Sequence, residues 1–300
     1  LIKNSSGSYR KNMSIKKYIK RGVKYVLTGE PINHITTHIV TLAPNELLKG
    51  RTALITGGTA GIGLAIAKKF LQSGADVVIT GRTNERLASA CEELKQVSAT
   101  GKVYGICMDN RDVSAFSVYI DSISEKIRGN IDILVNNAGV LGGDIKNVTE
   151  EEYDQILNTN LKGVFFLSKY FGESWKTKGL AGNILNIASS SSLRPAISAY
   201  TLTKWGIRGL TLGLGKIFAP YGITVNGIAP GPTATQMIIK KETDNITFST
   251  NPLGRLVMPE EIANMAVFLV SEMGRSIIGD IVYMTGGSGL VTLDDVKYSF

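Results

Sequence analysis

Short apolar segments alternate along most of the chain with stretches whose apolar side chains recur at helical spacing. Several of the short segments are rich in β-branched residues, as in Asp76-Val-Val-Ile-Thr80. The pattern predicts strands at 52–56, 76–80, 103–107, 131–135, 183–187, 223–227 and 280–284, with helices between them. Strand, helix and strand repeated in this way favour an α/β fold, a doubly wound parallel sheet of about seven strands that binds ligands at the strands' carboxyl ends.

The segment before residue 46 follows a different pattern. From residue 14 to 27, apolar side chains fall on one helical face and five lysine or arginine side chains on the other. Pro31 and the β-branched stretch 35–41 then predict an extended arm. We therefore divide the chain into an N-terminal extension, residues 1–45, and a single α/β domain, residues 46–300.

Three interpretations of the basic amphipathic helix at 14–27 stay open. It could lie in the interface of an anionic membrane, pack as an arm on a partner subunit, or cover its own domain with a solvated basic face. The two histidines, His34 and His38, lie four residues apart in a segment without helical pattern, so we expect no metal site.

Composition narrows the class of protein. With 43% hydrophobic and 19% charged residues, the chain can bury a full core. The net charge of +8 is concentrated in residues 1–50, which carry nine basic and two acidic side chains, so the domain gives no electrostatic case for nucleic acid. Cys91 and Cys107 have no metal-ligand spacing and fit a reducing cytosol. We expect a cytoplasmic protein, peripheral at a membrane only if residues 14–27 bind there.

A glycine-rich loop, Thr56-Gly-Gly-Thr-Ala-Gly-Ile-Gly63, separates the first strand from a helix. Glycine permits a sharp turn and leaves no Cβ in the way of a ligand. The N–H groups at the helix start, with the helix dipole behind them, favour a bound anion such as a pyrophosphate. The loop therefore predicts a Rossmann-type dinucleotide site, with a tight structural turn as the alternative.

The end of the second strand bears on which dinucleotide binds. An acidic residue there would bind the adenosine ribose hydroxyls of NAD, whereas a nearby arginine favours the 2′-phosphate of NADP. Here the acid is absent and Arg82 follows the strand, with the hydroxyl of Thr83 beside it. We expect NADP rather than NAD, unless Arg82 is only a solvated charge.

Tyr200 and Lys204 are four residues apart at the start of a predicted helix, which places both side chains on one face. A phenol has a pKa near 10, and a neighbouring ammonium stabilises the phenolate. We expect Lys204 to lower the pKa of Tyr200 toward useful proton transfer. Ser189, at the carboxyl end of the fifth strand, could donate a hydrogen bond to a substrate carbonyl, or belong to an ordinary loop.

Two asparagine positions also stand out. Asn136-Asn-Ala-Gly139 closes the fourth strand and predicts a structural turn beside the cofactor. Asn160 lies inside a predicted helix, where asparagine is unfavourable without a capping role. We therefore expect Asn160 to have a polar partner in the interior.

These residues together resemble the short-chain dehydrogenase/reductase family, from about Leu47 to Gly287. The resemblance is carried by the glycine loop at 56–63, Asp109, Asn136 to Gly139, Asn160, Ser189, Tyr200, Lys204, Asn226, Pro230 and Gly231. It implies that Tyr200 is the general acid in carbonyl reduction, that Lys204 lowers its pKa and holds the nicotinamide ribose, and that Ser189 polarises the carbonyl. It also implies that Asn160 holds a water linking Lys204 to solvent.

The resemblance implies the cofactor contacts as well. Asp109 would meet the adenine, Asn136 the adenosine ribose region, and the segment from Pro230 to Thr235 the nicotinamide carboxamide. The predicted cofactor-binding residues are Gly57, Thr59, Gly61, Ile62, Gly63, Arg82, Thr83, Asp109, Asn110, Asn136, Ala138, Gly139, Tyr200, Lys204, Pro230, Gly231 and Thr233, with Thr235 close behind Thr233.

The chain departs from the family pattern at a few positions. Ser189 and Tyr200 are 11 residues apart, two fewer than is common, so Ser190 is a fallback for Ser189 and the loop over the substrate is shortened. Asn110 stands where an aliphatic residue is usual, and Thr285 where many members have aspartate. No catalytic group is lost.

The leading hypothesis is an NADP(H)-dependent carbonyl reductase or alcohol dehydrogenase, similar in pattern to 3-oxoacyl-carrier-protein reductases. A non-catalytic cofactor-binding scaffold, attached to a membrane or partner through the basic helix, is the alternative. A sugar-nucleotide epimerase or dehydratase is disfavoured, because it would usually bring a larger C-terminal substrate domain. We expect a mobile substrate lid at 236–252, and the resemblance implies a homo-tetramer or homo-dimer built on paired helices, including the one that bears Tyr200.

Overall fold

Seven parallel strands form one sheet, as the apolar pattern predicts. In chain order the strands are β1 (Thr52–Ile55), β2 (Asp76–Gly81), β3 (Val103–Cys107), β4 (Ile133–Asn136), β5 (Gly182–Ile187), β6 (Ile223–Pro230) and β7 (Ile281–Met284). Their order across the sheet is β3-β2-β1-β4-β5-β6-β7. The order reverses between β1 and β4, and ligands of such sheets bind at the carboxyl ends of the strands beside this reversal.

Within the described residues, seven α-helices cover the sheet. They are α1 (Gly61–Gln72), α2 (Asn84–Lys95), α3 (Phe116–Ile127), α4 (Glu150–Leu157), α5 (Gly163–Lys178), α6 (Ala199–Phe218) and α7 (Pro259–Val270). A short π-helix, Asn158–Lys162, joins α4 to α5, and a 3-10 helix, Ser190–Leu193, follows β5. Pro259 occupies the first turn of α7, a position that suits proline because the N–H groups there have no partner within the helix.

Successive strand residues face opposite sides of the sheet, so two cores form. On one side Ala53 and Ile55 pack with the buried faces of α1, α2 and α7. On the other side Leu54 packs with α3 and α5, whose Phe171 and Trp175 are almost fully buried. Burial on both faces explains why the central strands are apolar at most positions.

This computed structural model describes residues 43–98, 100–127, 129–236 and 245–289. These residues belong to one compact unit, which spans residues 42–300. The predicted basic helix at 14–27 and most of the N-terminal extension lie outside the described residues. Within the described part of the chain, no helix combines the length and the apolar character needed to span a bilayer.

Candidate active site

The glycine loop joins β1 to α1 at the carboxyl edge of the sheet. Gly57 and Gly61 have φ angles of +63° and +56°, in the left-handed region that other residues adopt only with strain. A Cβ at Gly63 would lie 2.5 Å from the carbonyl oxygen of Gly57 and would also collide with the side chain of Asn137. The path of this loop therefore depends on the three glycines that the sequence singled out.

Helix α1 begins at the end of this loop. Its N-cap residue, Ala60, offers no side-chain hydrogen bond, so the first N–H groups of the helix are not capped by a side chain. Ile62 is partly buried and packs against the core. Thr59 lies against the backbone at Gly81, where an added Cβ would be 2.7 Å from its methyl group. This uncapped helix start, reached through a glycine turn, fits a pyrophosphate group.

Asn136 and Asn137, at the end of β4, have different structural roles, which the sequence did not predict. The Asn137 side chain donates hydrogen bonds to the carbonyls of Thr56 and Gly57, at 2.9 and 3.0 Å. The Thr56 hydroxyl accepts the N–H groups of Asn137 and Ala138. These bonds tie the turn after β4 to the glycine loop, which supports the predicted structural turn.

Asn136, which we predicted near the adenosine ribose, instead directs its side chain into the interior. Its Nδ2 donates to Ser168 at 3.0 Å and to Asn186 at 2.9 Å. The reason is strand alternation: Asn136 shares the face of Leu134, which packs in the core with α3 and α5. Any contact from Asn136 to a cofactor would therefore come from its main chain.

The predicted adenosine end of the site is formed by the turns after β2 and β3. Arg82 and Thr83 are exposed, and Thr83 is the N-cap residue of α2 without a side-chain capping bond. The charge of Arg82 makes a small contribution to lowering the pKa of Asp109. An exposed arginine and an exposed threonine thus follow one another at the end of β2.

Asp109, predicted to meet the adenine, is already engaged by Arg111. The carboxylate accepts hydrogen bonds from Nε and Nη2 of Arg111, the shortest at 2.7 Å, and this pairing is the main cause of its lowered pKa. Asn110 is buried, and among the described residues its Nδ2 has no hydrogen-bond partner. The backbone of Asn110 packs so closely on Gly163 that a Cβ there would collide with the Asn110 carbonyl oxygen.

The segment after β6 returns to the glycine loop. A Cβ at Gly61 would lie 3.4 Å from Cγ2 of Thr235, so Thr235 borders the loop directly. Thr233, our first choice for a cofactor contact, is buried and donates its hydroxyl to the Gly231 carbonyl at 2.9 Å. The geometry therefore favours the side chain of Thr235 over that of Thr233.

The proposed catalytic side chains meet at the carboxyl end of β5. Ser189 follows this strand and is 8% exposed, while Tyr200 and Lys204 come from the first two turns of α6. Lys204 is 6% exposed, and its Nζ donates to the carbonyl oxygen of Ile187 at 2.8 Å. The Lys204 ammonium lies 5.5 Å from the centre of the Tyr200 ring.

Burial shifts the pKa values of two groups in this cluster. Burial raises the pKa of Tyr200 above its usual value, and a hydrogen bond with Ser189 opposes this rise without reversing it. Burial also lowers the pKa of Lys204 to about 8. Desolvation therefore sets the direction of the Tyr200 pKa shift in this structure, and the predicted lowering of that pKa by Lys204 stays a prediction.

Asn160 has the interior partner that its position predicted. It lies in the π-helix between α4 and α5, where its Oδ1 accepts the N–H of Val140 at 2.8 Å and its Nδ2 donates to the Val140 carbonyl at 2.9 Å. Nδ2 also lies 3.3 Å from the Thr203 hydroxyl, which in turn donates to the carbonyl of Tyr200. Asn160 thus connects the loop after β4 to the helix that carries Tyr200 and Lys204; its predicted role in holding a water stays a prediction.

The loop at 140–146, which follows β4, is held from two sides. The Gly143 N–H donates to the Glu152 carboxylate at 2.9 Å, and its carbonyl accepts the N–H of Ala199 at 2.9 Å. Thr149 caps α4 by accepting the N–H of Glu152, while the Glu152 side chain turns to Gly143. Glu152 is thereby joined to the residue before Tyr200.

The predicted lid at 236–252 is only partly within the described residues, since 237–244 lie outside them. Its second half is anchored: Asn251 donates to the carbonyl of Thr285 at 3.1 Å, and Ile246 accepts the N–H of Leu256 at 2.9 Å. The mobility of the lid stays a prediction.

Sequence reasoning missed Asn137 and Trp205 as residues that shape the site. Strand alternation was the available signal for Asn137, because it puts this residue on the same side as Val135 and the glycine loop. No local sequence pattern predicts the contact between Trp205 and Arg194. The two residues meet only when α6 packs beside the end of β5.

The fold and this cluster define a dinucleotide-dependent oxidoreductase scaffold, and comparison with known proteins gives its family. The family model for short chain dehydrogenase matches residues 51–246, and the chain belongs to this family.

Two relatives and one solved structure illustrate the similarity. The chain is 35% identical to the 3alpha-hydroxysteroid dehydrogenase of Mediterraneibacter gnavus over 81% of this chain and 98% of the relative. It is 34% identical to a 3-oxoacyl-[acyl-carrier-protein] reductase of Aquifex aeolicus, over 80% of this chain and 98% of the relative. A short chain dehydrogenase from Burkholderia cenocepacia, solved in complex with NADP, matches with a TM-score of 0.70 at 30% identity, covering 80% of this chain and 98% of that one.

Proposed function

We propose that this chain is an NADP(H)-dependent oxidoreductase that transfers hydride between the nicotinamide and a carbonyl or alcohol substrate. The observation that carries the proposal is the convergence of Ser189, Tyr200 and a buried Lys204 at one end of β5. A buried ammonium is costly for a fold to maintain, and its position beside a hydrogen-bonded phenol argues for a chemical role.

Tyr200 would act as the general acid in the reductive direction. A phenol is protonated at neutral pH, so Tyr200 would donate its proton to the carbonyl oxygen of the substrate. Ser189 would donate a second hydrogen bond to the same oxygen as negative charge develops there. The cofactor, when bound, supplies the hydride.

Lys204 would exchange protons with its surroundings and place a positive charge beside Tyr200. With a pKa of about 8, it can take up and release a proton near neutral pH. Its bond to Ile187 fixes the ammonium beneath the Tyr200 ring, in reach of the cofactor ribose in the family's arrangement. The glycine loop and the start of α1 would hold the pyrophosphate.

Our preference for NADP over NAD rests on Arg82. It is exposed at the end of β2, where a 2′-phosphate would be recognised, and no acidic residue replaces it. The Burkholderia cenocepacia structure named above contains NADP, which supports the same choice. Asp109 would orient the adenine through its remaining lone pairs while paired to Arg111.

We also propose that the chain forms a homo-oligomer through α5 and α6. Apolar side chains on these helices are exposed in the single chain, namely Phe165, Phe166, Leu202 and Leu212. Exposed apolar side chains on adjacent helices are typical of an interface between subunits. Light scattering tests this: a dimer or tetramer is expected, and Leu212→Glu should weaken it.

NADPH absorbance with a panel of ketones and aldehydes tests the catalytic proposal. At least one should be reduced, and Tyr200→Phe should reduce its turnover at least about 100-fold, the scale of a lost general acid, while NADPH still binds. Cofactor binding without turnover of any carbonyl or alcohol would instead favour the scaffold alternative.

A further inference from the structure

Two side chains of α6 reach back to the segment that follows Ser189. The indole N–H of Trp205 donates to the carbonyl oxygen of Arg194 at 2.8 Å. The guanidinium of Arg208 donates to the carbonyl oxygen of Ser192 at 3.4 Å and lies 5.4 Å from the centre of the Trp205 ring. The two side chains thus support each other while they hold the same segment.

The segment from Ser190 to Arg194 is otherwise bonded mainly to itself. The N–H of Ser191 donates to the hydroxyl oxygen of Ser189, and both the N–H and the hydroxyl of Ser192 donate to the carbonyl of Ser189. These bonds make a compact turn with Ser189 as its hub. Apart from the hydrogen bond between Ser189 and Tyr200, they do not fix where the rest of the turn lies relative to Tyr200.

Trp205 and Arg208 supply that connection because they share a helix with the catalytic pair. Trp205 directly follows Lys204, and Tyr200, Lys204 and Arg208 recur every four residues along one side of α6. A turn held to these side chains therefore keeps a constant distance from Tyr200.

We propose that Trp205 and Arg208 are positioning residues that hold the turn at 190–194, and through it the Ser189 hydroxyl, in register with Tyr200. This inference rests on the proposed function, since Ser189 has a catalytic task only if the chain reduces carbonyls. The holding contacts themselves can be tested without any substrate.

The second tryptophan offers a control for the loss of an indole donor, with the difference that Trp175 is buried at 3% exposure and Trp205 is 41% exposed. The chain has two tryptophans, and each donates its indole N–H to a backbone carbonyl: Trp205 to Arg194, and Trp175 to Ile131 at 2.7 Å. Trp205→Phe and Trp175→Phe remove the same donor and keep an aromatic ring. Arg208→Met is an independent second variant if Trp205→Phe folds poorly.

Hydrogen–deuterium exchange in the full chain with NADPH is the first measurement. In Trp205→Phe and Arg208→Met, the amides of residues 190–194 should exchange at least three times faster than in the wild type. In Trp175→Phe these amides should keep the wild-type rate. Unchanged exchange in both α6 variants would overturn the proposal.

Steady-state kinetics per NADPH-binding site is the second measurement, with a ketone that the wild type reduces. The kcat/KM for the ketone should fall three- to tenfold in Trp205→Phe and Arg208→Met, with the KM for NADPH unchanged. A merely structural role would lower the number of NADPH-binding sites and leave kcat/KM per site intact, and that result would contradict the proposal.

The two measurements distinguish a failure of this inference from a failure of the proposed function. If neither the wild type nor any variant reduces a ketone, the proposed function fails, and with it the link to catalysis. Exchange would then still show whether Trp205 and Arg208 hold the turn.

Discussion

Lys204 donates a hydrogen bond from its buried ammonium to the carbonyl oxygen of Ile187, the last residue of β5, at 2.8 Å. The bond joins the catalytic helix to the strand that leads into Ser189. It does not compensate fully for the loss of hydration, because burial still lowers the pKa of Lys204 to about 8.

This shift gives a pH dependence of stability with a definite sign. Between pH 8 and the usual lysine pKa of 10.5, the unfolded chain binds a proton at Lys204 that the folded chain has lost. The free energy of unfolding should therefore rise with pH across this window, by up to about 3 kcal/mol from this group. Below pH 8 the buried charge is a constant cost.

Lys204→Met isolates this contribution. Urea unfolding of the wild type and the variant at intervals from pH 7 to pH 10 should show the wild type gaining stability relative to the variant as pH rises. Parallel pH profiles for the two proteins would show that Lys204 is not desolvated as its burial indicates.

Gly63 should not tolerate a methyl group. Gly63→Ala places a Cβ against the Gly57 carbonyl and the Asn137 side chain, so we expect a loss of about 1–3 kcal/mol in unfolding free energy and at least tenfold weaker NADPH binding. Gly129→Ala is the control, because an added Cβ there meets no atom closer than 3.9 Å. Its stability should stay within about 0.5 kcal/mol of the wild type. Equal behaviour of the two variants would contradict the packing described here.

Arg82 should decide the choice between the two nicotinamide dinucleotides. We expect NADPH to bind at least tenfold more tightly than NADH, a difference of about 1.4 kcal/mol, and Arg82→Ala to remove it with little change for NADH. Titration of each cofactor by fluorescence measures both affinities. Arg86→Ala, an exposed cation in the first turn of α2, should preserve the preference. A preference that survives Arg82→Ala would assign the 2′-phosphate to other residues.

We expect Glu152, in the first turn of α4, to affect both the stability of the fold and the turnover of the ketone. Glu152→Ala leaves the buried N–H of Gly143 without its acceptor, which should cost about 1–3 kcal/mol of unfolding free energy. Because Gly143 also holds Ala199 beside Tyr200, turnover of the ketone should fall with stability. Urea unfolding and NADPH oxidation measure the two effects. Glu150→Ala, exposed on the same helix, should alter neither.

Much of the fold could be predicted because its signals are local. Every predicted strand is present, with ends within three residues of the prediction, since alternating apolar segments and glycine or polar boundaries report directly on strand structure. The glycine loop could also be predicted from local sequence, because the left-handed φ at Gly57 and Gly61 favours glycine in any surroundings.

The side-chain roles were harder to predict. Asn136 and Asn137 are neighbours in a recognisable motif, yet one points into the core and the other to the glycine loop. Thr233 and Thr235 differ in the same way, one bonded within its own turn and the other beside Gly61. In each pair the residue types are identical, so only the direction of the chain separates them.

The sequence by itself determined the order of strands and helices, the glycine turn and the presence of a tyrosine, a lysine and a serine at suitable spacing. Only the tertiary structure decided the pKa direction at Tyr200 and the contacts of Trp205 and Arg208. The physical reason is that desolvation and long-range hydrogen bonds depend on which distant segments surround a group. Neighbours along the chain do not specify that environment.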